Sequence, residues 1–357
     1  MKTYFKIFKI VVMLLIILTA CSDDQDLKLV EPSHRVIYTS EMDFQNRIEV
    51  NGEISFGDAS AGVESRLWTF PEGVVDVIGS TNDINSTEWT VKTTFNQVGE
   101  YNVQLNQVFK KDAYVGTELR GKELDTTIVV TVLQPIDVNV QAYYINEDGS
   151  NGAALNMSDN AQNELTASKS IRYTVVENGS PESFNWEFEG GDPAEIETSD
   201  PELDVKYKRT GTYDVRLIAS RARPFGADTI YLKDLVKVIP STDPVTLDGI
   251  SDKDGAIALN YSREMDPLTA NGADFKVTID NNGTIINPVI SDVTVDAVDG
   301  NIVLLHLDNE NLYNDDIVSV SYTPGTLTTL DGIAADVFEN ERMIFNTVNI
   351  LDVDSDY

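Results

Sequence analysis

Asn185-Trp186-Glu187-Phe188-Glu189-Gly190-Gly191, followed by Tyr207-Lys208-Arg209-Thr210-Gly211-Thr212-Tyr213-Asp214-Val215-Arg216-Leu217, decides the fold of this chain. Apolar and polar residues alternate in both stretches, the period of a strand with one buried and one wet face. The glycines punctuate the strands as turns. The same arrangement occurs earlier: Leu67-Trp68-Thr69-Phe70 precedes Phe95-Asn96-Gln97-Val98-Gly99-Glu100-Tyr101-Asn102-Val103-Gln104-Leu105. The two tryptophans are 118 residues apart and the two Gly-x-Tyr tyrosines 112. That spacing suits sandwich domains of about a hundred residues each. Alternation continues at Trp89–Phe95, Ile128–Val132, Leu203–Tyr207 and Val318–Tyr322, and no helical period runs over three turns. The expected fold is all-β, as tandem sandwiches with antiparallel sheets.

Both repeated units resemble PKD (polycystic-kidney-disease) domains, in which a Trp-x-Phe strand precedes a glycine-rich turn and Gly-x-Tyr-x-Val opens the next long strand. The first unit departs from that pattern with Phe70-Pro71-Glu72-Gly73, the second with Phe188-Glu189-Gly190-Gly191-Asp192-Pro193. A third unit follows the linker Pro240-Ser241-Thr242-Asp243-Pro244. Its Tyr261-Ser-Arg-Glu-Met265-Asp-Pro267, Asp274-Phe275-Lys-Val277 and Asp316-Ile-Val318-Ser-Val320-Ser-Tyr322 are similar to bacterial Ig-like repeats of the SwmB type. The expected domains are therefore residues 35–134 and 135–240 (PKD-like) and 245–348 (Ig-like). Residues 144–163 read as a polar insertion. Within each PKD-like unit, Trp68 with Phe70 and Trp186 with Phe188 share a strand face and are assigned to the core. Tyr101 and Tyr213 are expected as corner tyrosines that tie a loop to a strand.

The N-terminus predicts the compartment. Lys2, Lys6 and Lys9 precede the apolar run Ile10–Leu18, which is about half the length needed to span a bilayer and so reads as a signal-peptide core. It ends at Leu18-Thr19-Ala20-Cys21, and Cys21 is the only cysteine. Residues 1–20 are thus expected to be a lipoprotein signal, with Cys21 carrying the lipid and residues 21–34 forming an acidic linker. Ser22-Asp23-Asp24-Gln25-Asp26 resembles the export tag of Bacteroidetes outer-membrane surface lipoproteins. A lone cysteine permits no intramolecular disulfide. With 59 acidic against 26 basic residues, the net charge is −33, which opposes nucleic acid and anionic membrane surfaces as partners. Neutral ligands such as sugars do not feel that charge.

Raw material for catalysis is sparse. His34 and His306 are the two histidines and fall in different units. No catalytic residue is assigned, and the expectation is that the chain is not an enzyme. No cofactor is expected. Oxygen ligands cluster at Asp252, Asp254, Asp315 and Asp316, as calcium would require. Neither cluster matches the twelve-residue calcium loop, and Asx-rich hairpin turns give the same sequence for conformational reasons. Aromatics outside the repeated core pattern are the candidates for stacking on a sugar ring: Trp89, Tyr114, Phe225, Tyr143, Tyr144 and Tyr313. Tyr114 and Phe225 occupy equivalent places on the hairpin joining the last two strands of each repeated unit.

Taken with the lipid cysteine and acidic tag, this domain order resembles the surface glycan-binding proteins of polysaccharide-utilisation systems. The resemblance implies capture of polysaccharide or oligosaccharide beside a SusD-like protein and a TonB-dependent transporter. The alternative is a structural or adhesive surface protein that contacts another protein or acts as a spacer.

Overall fold

The computed structural model describes residues 32–346. The expected signal segment, Cys21 and the expected acidic tag lie outside them. Among the described residues there is no α-helix, only two short 3-10 turns at Met42–Phe44 and Gly272–Asp274. Three separate apolar cores are present, one in residues 32–133 and two in residues 134–346.

In residues 32–133, a five-stranded sheet runs in the order Arg47–Glu49, Glu123–Leu133, Gly99–Phe109, Val63–Thr69, Asn85–Ser86. It faces a four-stranded sheet ordered Ile37–Thr39, Glu53–Asp58, Thr90–Phe95, Val75–Val77. Alternation supplies the core: Ile54 and Phe56 from one sheet meet Trp68, Val103 and Leu105 from the other. Trp68 is fully buried and stands opposite Leu105. A small ribbon of Ser33–Arg35, Ala113–Val115 and Glu118–Leu119 closes one end.

The middle sandwich repeats the plan. Asn163–Thr166, Gly226–Ile239, Gly211–Arg221, Ser183–Phe188 and Glu195–Thr198 form one sheet. Asn151–Ala154, Asp137–Ile145, Ser170–Asn178, Glu202–Tyr207 and Gly191–Asp192 form the other. Trp186 is fully buried opposite Leu217 and stacks on Phe188 with centroids 5.1 Å apart. Deleting such a ring would cost about 3–5 kcal/mol. Tyr213 behaves as a corner tyrosine, its hydroxyl donating to Arg209 O (3.0 Å) and Thr210 O (3.1 Å), as Tyr101 does to Val98 O (3.2 Å). Gly190 has φ +66° and lies against the Tyr213 ring, where a Cβ would collide. The glycine there serves both backbone conformation and close packing.

The C-terminal sandwich pairs the sheet Leu247–Lys253, Ala256–Tyr261, Ile302–Leu307, Ile290–Val295 with the sheet Thr284–Ile286, Phe275–Asn281, Ile317–Tyr322, Phe338–Arg342. Its core includes Leu259, Tyr261, Val303, Leu305, Val318 and Val320.

Three expectations are corrected. The sheets are not wholly antiparallel: Ile48 pairs in parallel with Val132, and Leu165 with Val238, because a short early strand joins the edge beside the last long strand. The stretch read as a polar insertion contains two strands, Asn151–Ala154 and Asn163–Thr166. The linker 240–244 is not a free tether. Ser241 is buried, and Asp243 is held by Lys169 (2.8 Å) and, through its carbonyl, by Arg263 (3.0 Å).

Candidate functional site

Strand Asp137–Ile145 ends in Tyr143 and Tyr144, which point to opposite faces because successive side chains alternate. Tyr144 lies on the inner side at the open end of the middle sandwich. Its ring packs against the core, and its hydroxyl donates to Glu164 O (3.0 Å). Burial, and then the Glu164 carboxylate, raises the Tyr144 phenol above its ordinary pKa, so the ring stays neutral. Around it opens a groove of about 750 Å³. Tyr144, Asn146 and Glu147 line it from one strand end, Glu164 and Thr166 from another, and Ser168, Lys169 and Asp204 are also part of the lining. Pockets of roughly 300–1,000 Å³ suit small ligands or a few sugar rings.

Tyr143 faces outward and stands in register with Arg172, which in turn pairs with Asp204 across the sheet. Arg172 donates to both Asp204 oxygens (2.7 and 2.9 Å), to Asn151 Oδ1 (3.1 Å) and to Gly149 O (3.3 Å). The bidentate pair holds the guanidinium plane beside the Tyr143 position. Asp204 belongs to both this row and the groove lining. One end of one sandwich therefore gathers two tyrosines, an arginine, carboxylates and amides. Flat rings and bidentate hydrogen-bonding groups of this kind are what a ring with several hydroxyls requires.

The other candidate aromatics are dispersed. Phe225 is the most exposed of them, at 79%, on the turn between strands Gly211–Arg221 and Gly226–Ile239. That turn adjoins Gln134, so Phe225 lies at the opposite end of the middle sandwich from Tyr144. Trp89 is 61% exposed and immediately precedes strand Thr90–Phe95. Its loop is pinned from below: Trp68 Nε1 donates to Glu88 O (3.1 Å), and Asp58 N to Trp89 O (2.8 Å). Tyr114, on the closing ribbon, pairs with His34, whose N–H bonds to Ala61 O. Loop 58–61 thus places Trp89 and Tyr114 at the same end of residues 32–133. Tyr313 is half-buried, in a turn closed by its own N–H to Asp316 Oδ2 (3.0 Å).

Of the four aspartates suggested for calcium, Asp252, Asp254 and Asp316 hold turns or chain contacts. Asp254 (φ +50°) and Gly255 (φ +80°) form the two-residue turn between paired Lys253 and Ala256. Asp252 Oδ1 accepts from Asn346 N (2.6 Å), Asp315 lies 3.4 Å from Asn282 Nδ2, and Asp316 is buried. Among the described residues no three His, Cys, Asp or Glu are grouped so as to hold a metal ion. His306 lies on strand Ile302–Leu307. It is half-buried, with Nε2 3.1 Å from Thr294 Oγ1.

Sequence reasoning finds Tyr143 and Tyr144 but misses Asn146, Glu164, Lys169, Arg172 and Asp204. These are ordinary polar positions on strands and loops: the pairing of Asp137–Ile145 with Ser170–Asn178 and of Ser170–Asn178 with Glu202–Tyr207 brings in Arg172 and Asp204, and the packing of the opposite sheet brings in Glu164.

The PKD domain family model matches residues 152–229, inside the middle sandwich. A search of curated proteins finds no match. Among solved structures, the chain is similar to the fibronectin(III)-like modules of Clostridium thermocellum CbhA (15% identity, 57% of this chain and 95% of that one, TM-score 0.26). It is also similar to a marsupial T cell receptor (10% identity, 83% and 98%, TM-score 0.33). A third is the BSP domain of a biofilm-associated protein (10% identity, 89% and 67%, TM-score 0.27). The assignment to tandem immunoglobulin-like sandwiches rests on the strand pairings and cores described above and on the PKD match.

Proposed function

We propose that this chain is a non-catalytic, lipid-anchored surface protein that captures neutral polysaccharide at the Tyr144 end of its middle sandwich. The carrying observation is the groove of about 750 Å³, where Tyr144 lies among Asn146, Glu147, Glu164 and Asp204. Carboxylates and amides accept and donate to sugar hydroxyls, while the tyrosine ring offers an apolar face to C–H groups. Carboxylates dominate the titratable lining, and the charge of Lys169 is already paired with Asp243. That lining disfavours uronic or sulfated chains. Cys21 would tether the protein, and a SusD-like protein and TonB-dependent transporter would be its neighbours. Weak single sites would gain avidity through many copies on one surface.

Affinity electrophoresis against a panel of neutral polysaccharides tests the reading. Retarded migration is expected with at least one of them, and Tyr144→Ala should weaken that binding about tenfold, the worth of one aromatic contact. Unchanged migration across the panel would refute capture. It would favour the adhesive or spacing role, to which the outward Phe225 and Trp89 are also suited as protein contacts.

A further inference from the structure

The chain is strongly acidic, yet four cations of the middle sandwich converge on one place. Lys169, Lys206, Lys208 and Arg209 all lie where that sandwich meets the C-terminal one, and each is paired with an acid of the linker or the C-terminal sandwich. Lys208 is only 4% exposed. Its ammonium reaches Asp192 Oδ2 of its own sandwich (2.6 Å) and, across the boundary, Asp248 Oδ2 (3.2 Å) and Asn260 Oδ1 (2.9 Å). Three donors thus meet three acceptors, which is what a buried ammonium requires. Lys206 holds both Asp248 oxygens (2.8 and 2.7 Å). The backbones themselves join, Glu264 N donating to Lys208 O (3.2 Å), and Arg209 Nη1 donates to Val298 O (2.5 Å). On the C-terminal side Arg263, 2% exposed, holds both Asp331 oxygens (2.6 and 2.5 Å) and the linker carbonyl of Asp243.

Linked domains ordinarily move relative to one another unless a large apolar interface holds them. Here the restraint is of another kind. Any hinge motion that parted Lys208 from Asp248 and Asn260 would break, in one step, two hydrogen bonds made to a charge away from water together with the Lys206–Asp248 pair, a larger loss than one exposed pair. The linker cannot act as the hinge either, because Lys169 and Arg263 hold Asp243 from both sides. We infer that the middle and C-terminal sandwiches form one rigid body, with Lys208 as the pin that fixes their relative orientation. Whatever either sandwich binds is then presented in a constant geometry to the other. This holds independently of which ligand the groove takes.

The test measures a distance across the junction in the full mature chain. Spin labels at Thr229→Cys and Thr284→Cys, both exposed, with Cys21→Ser, report the distance distribution by pulsed electron resonance. The otherwise unaltered chain should give one narrow peak. Lys208→Met keeps the stem and removes the charge, and it should replace that peak with a broad distribution while the circular dichroism stays unchanged. Should Lys208→Met fail to fold, Asp248→Asn, from a more exposed position, should broaden the peak in the same way. A broad distribution in the otherwise unaltered chain overturns the rigid body. A narrow peak retained in a folded Lys208→Met or Asp248→Asn overturns the pin.

Discussion

Replacing Arg221 with methionine should loosen the middle sandwich without touching its apolar core. Arg221 is 2% exposed, at the end of strand Gly211–Arg221. It donates to Pro224 O (2.8 Å) in the Phe225 turn, to Gln134 O (3.0 Å) at the start of the sandwich and to Gly179 O in the turn after Ser170–Asn178. Hydrogen bonds from a charged donor are worth about 1.5–3 kcal/mol each, and three acceptors lose theirs together. Removing a buried cation returns several kcal/mol of desolvation, so the net loss is about 3 kcal/mol. That corresponds to somewhat more than a hundredfold in the opening equilibrium. Hydrogen-exchange mass spectrometry should show Gly211–Arg221 and Ser183–Phe188 exchanging faster by about that factor in Arg221→Met. Arg221→Lys, which keeps the charge but not the fork, should fall between. A change of no more than about twofold, typical of a surface substitution, would refute the role given to the guanidinium.

Gly190→Ala should destabilise the middle sandwich by about 2 kcal/mol or more, since it adds both φ strain and a clash with Tyr213. Thermal unfolding would show it, and a neutral result would contradict the packing described. Trp68→Phe should cost about 1 kcal/mol more than Trp186→Phe, because Trp68 Nε1 donates to Glu88 O while the buried Trp186 Nε1 has no hydrogen-bond partner among the described residues. Denaturant titration of the two variants decides it, and equal losses would count against the distinction. The Asp296 carboxyl is pushed down to about 2 by the Asp299 N–H, the Lys253 ammonium and the Val298 N–H. Its folded pKa lies below the unfolded 3.8, so its stabilising effect is complete above that value and disappears as pH falls toward 2. Lying in a surface turn, it should contribute under about 1 kcal/mol. Asp296→Asn should therefore melt lower than the wild type at pH 6 and converge with it near pH 2, and a constant gap at every pH would be inconsistent.

The sequence by itself determines the sandwiches and their cores. A strand turns alternate side chains to opposite faces, so Trp68, Phe70, Trp186 and Phe188 declare the inner face locally, and Gly-x-Tyr marks the corner wherever it recurs. It also marks Tyr143 and Tyr144 as aromatics outside that pattern. Only the tertiary structure decides which polar residues leave water. Lys208, Arg221 and Arg263 are among the most buried charges described, and the linker Pro240–Pro244 is strapped on both sides. The same holds for the groove, which Glu164 and Asp204 line beside Tyr144 from strands of different sheets. Alternation is a property of one strand and can be read along the chain. Burial of a charge depends on what another segment places over it, as Asn260 does for Lys208 from 52 residues away and Gln134 for Arg221 from 87, and no local pattern records that.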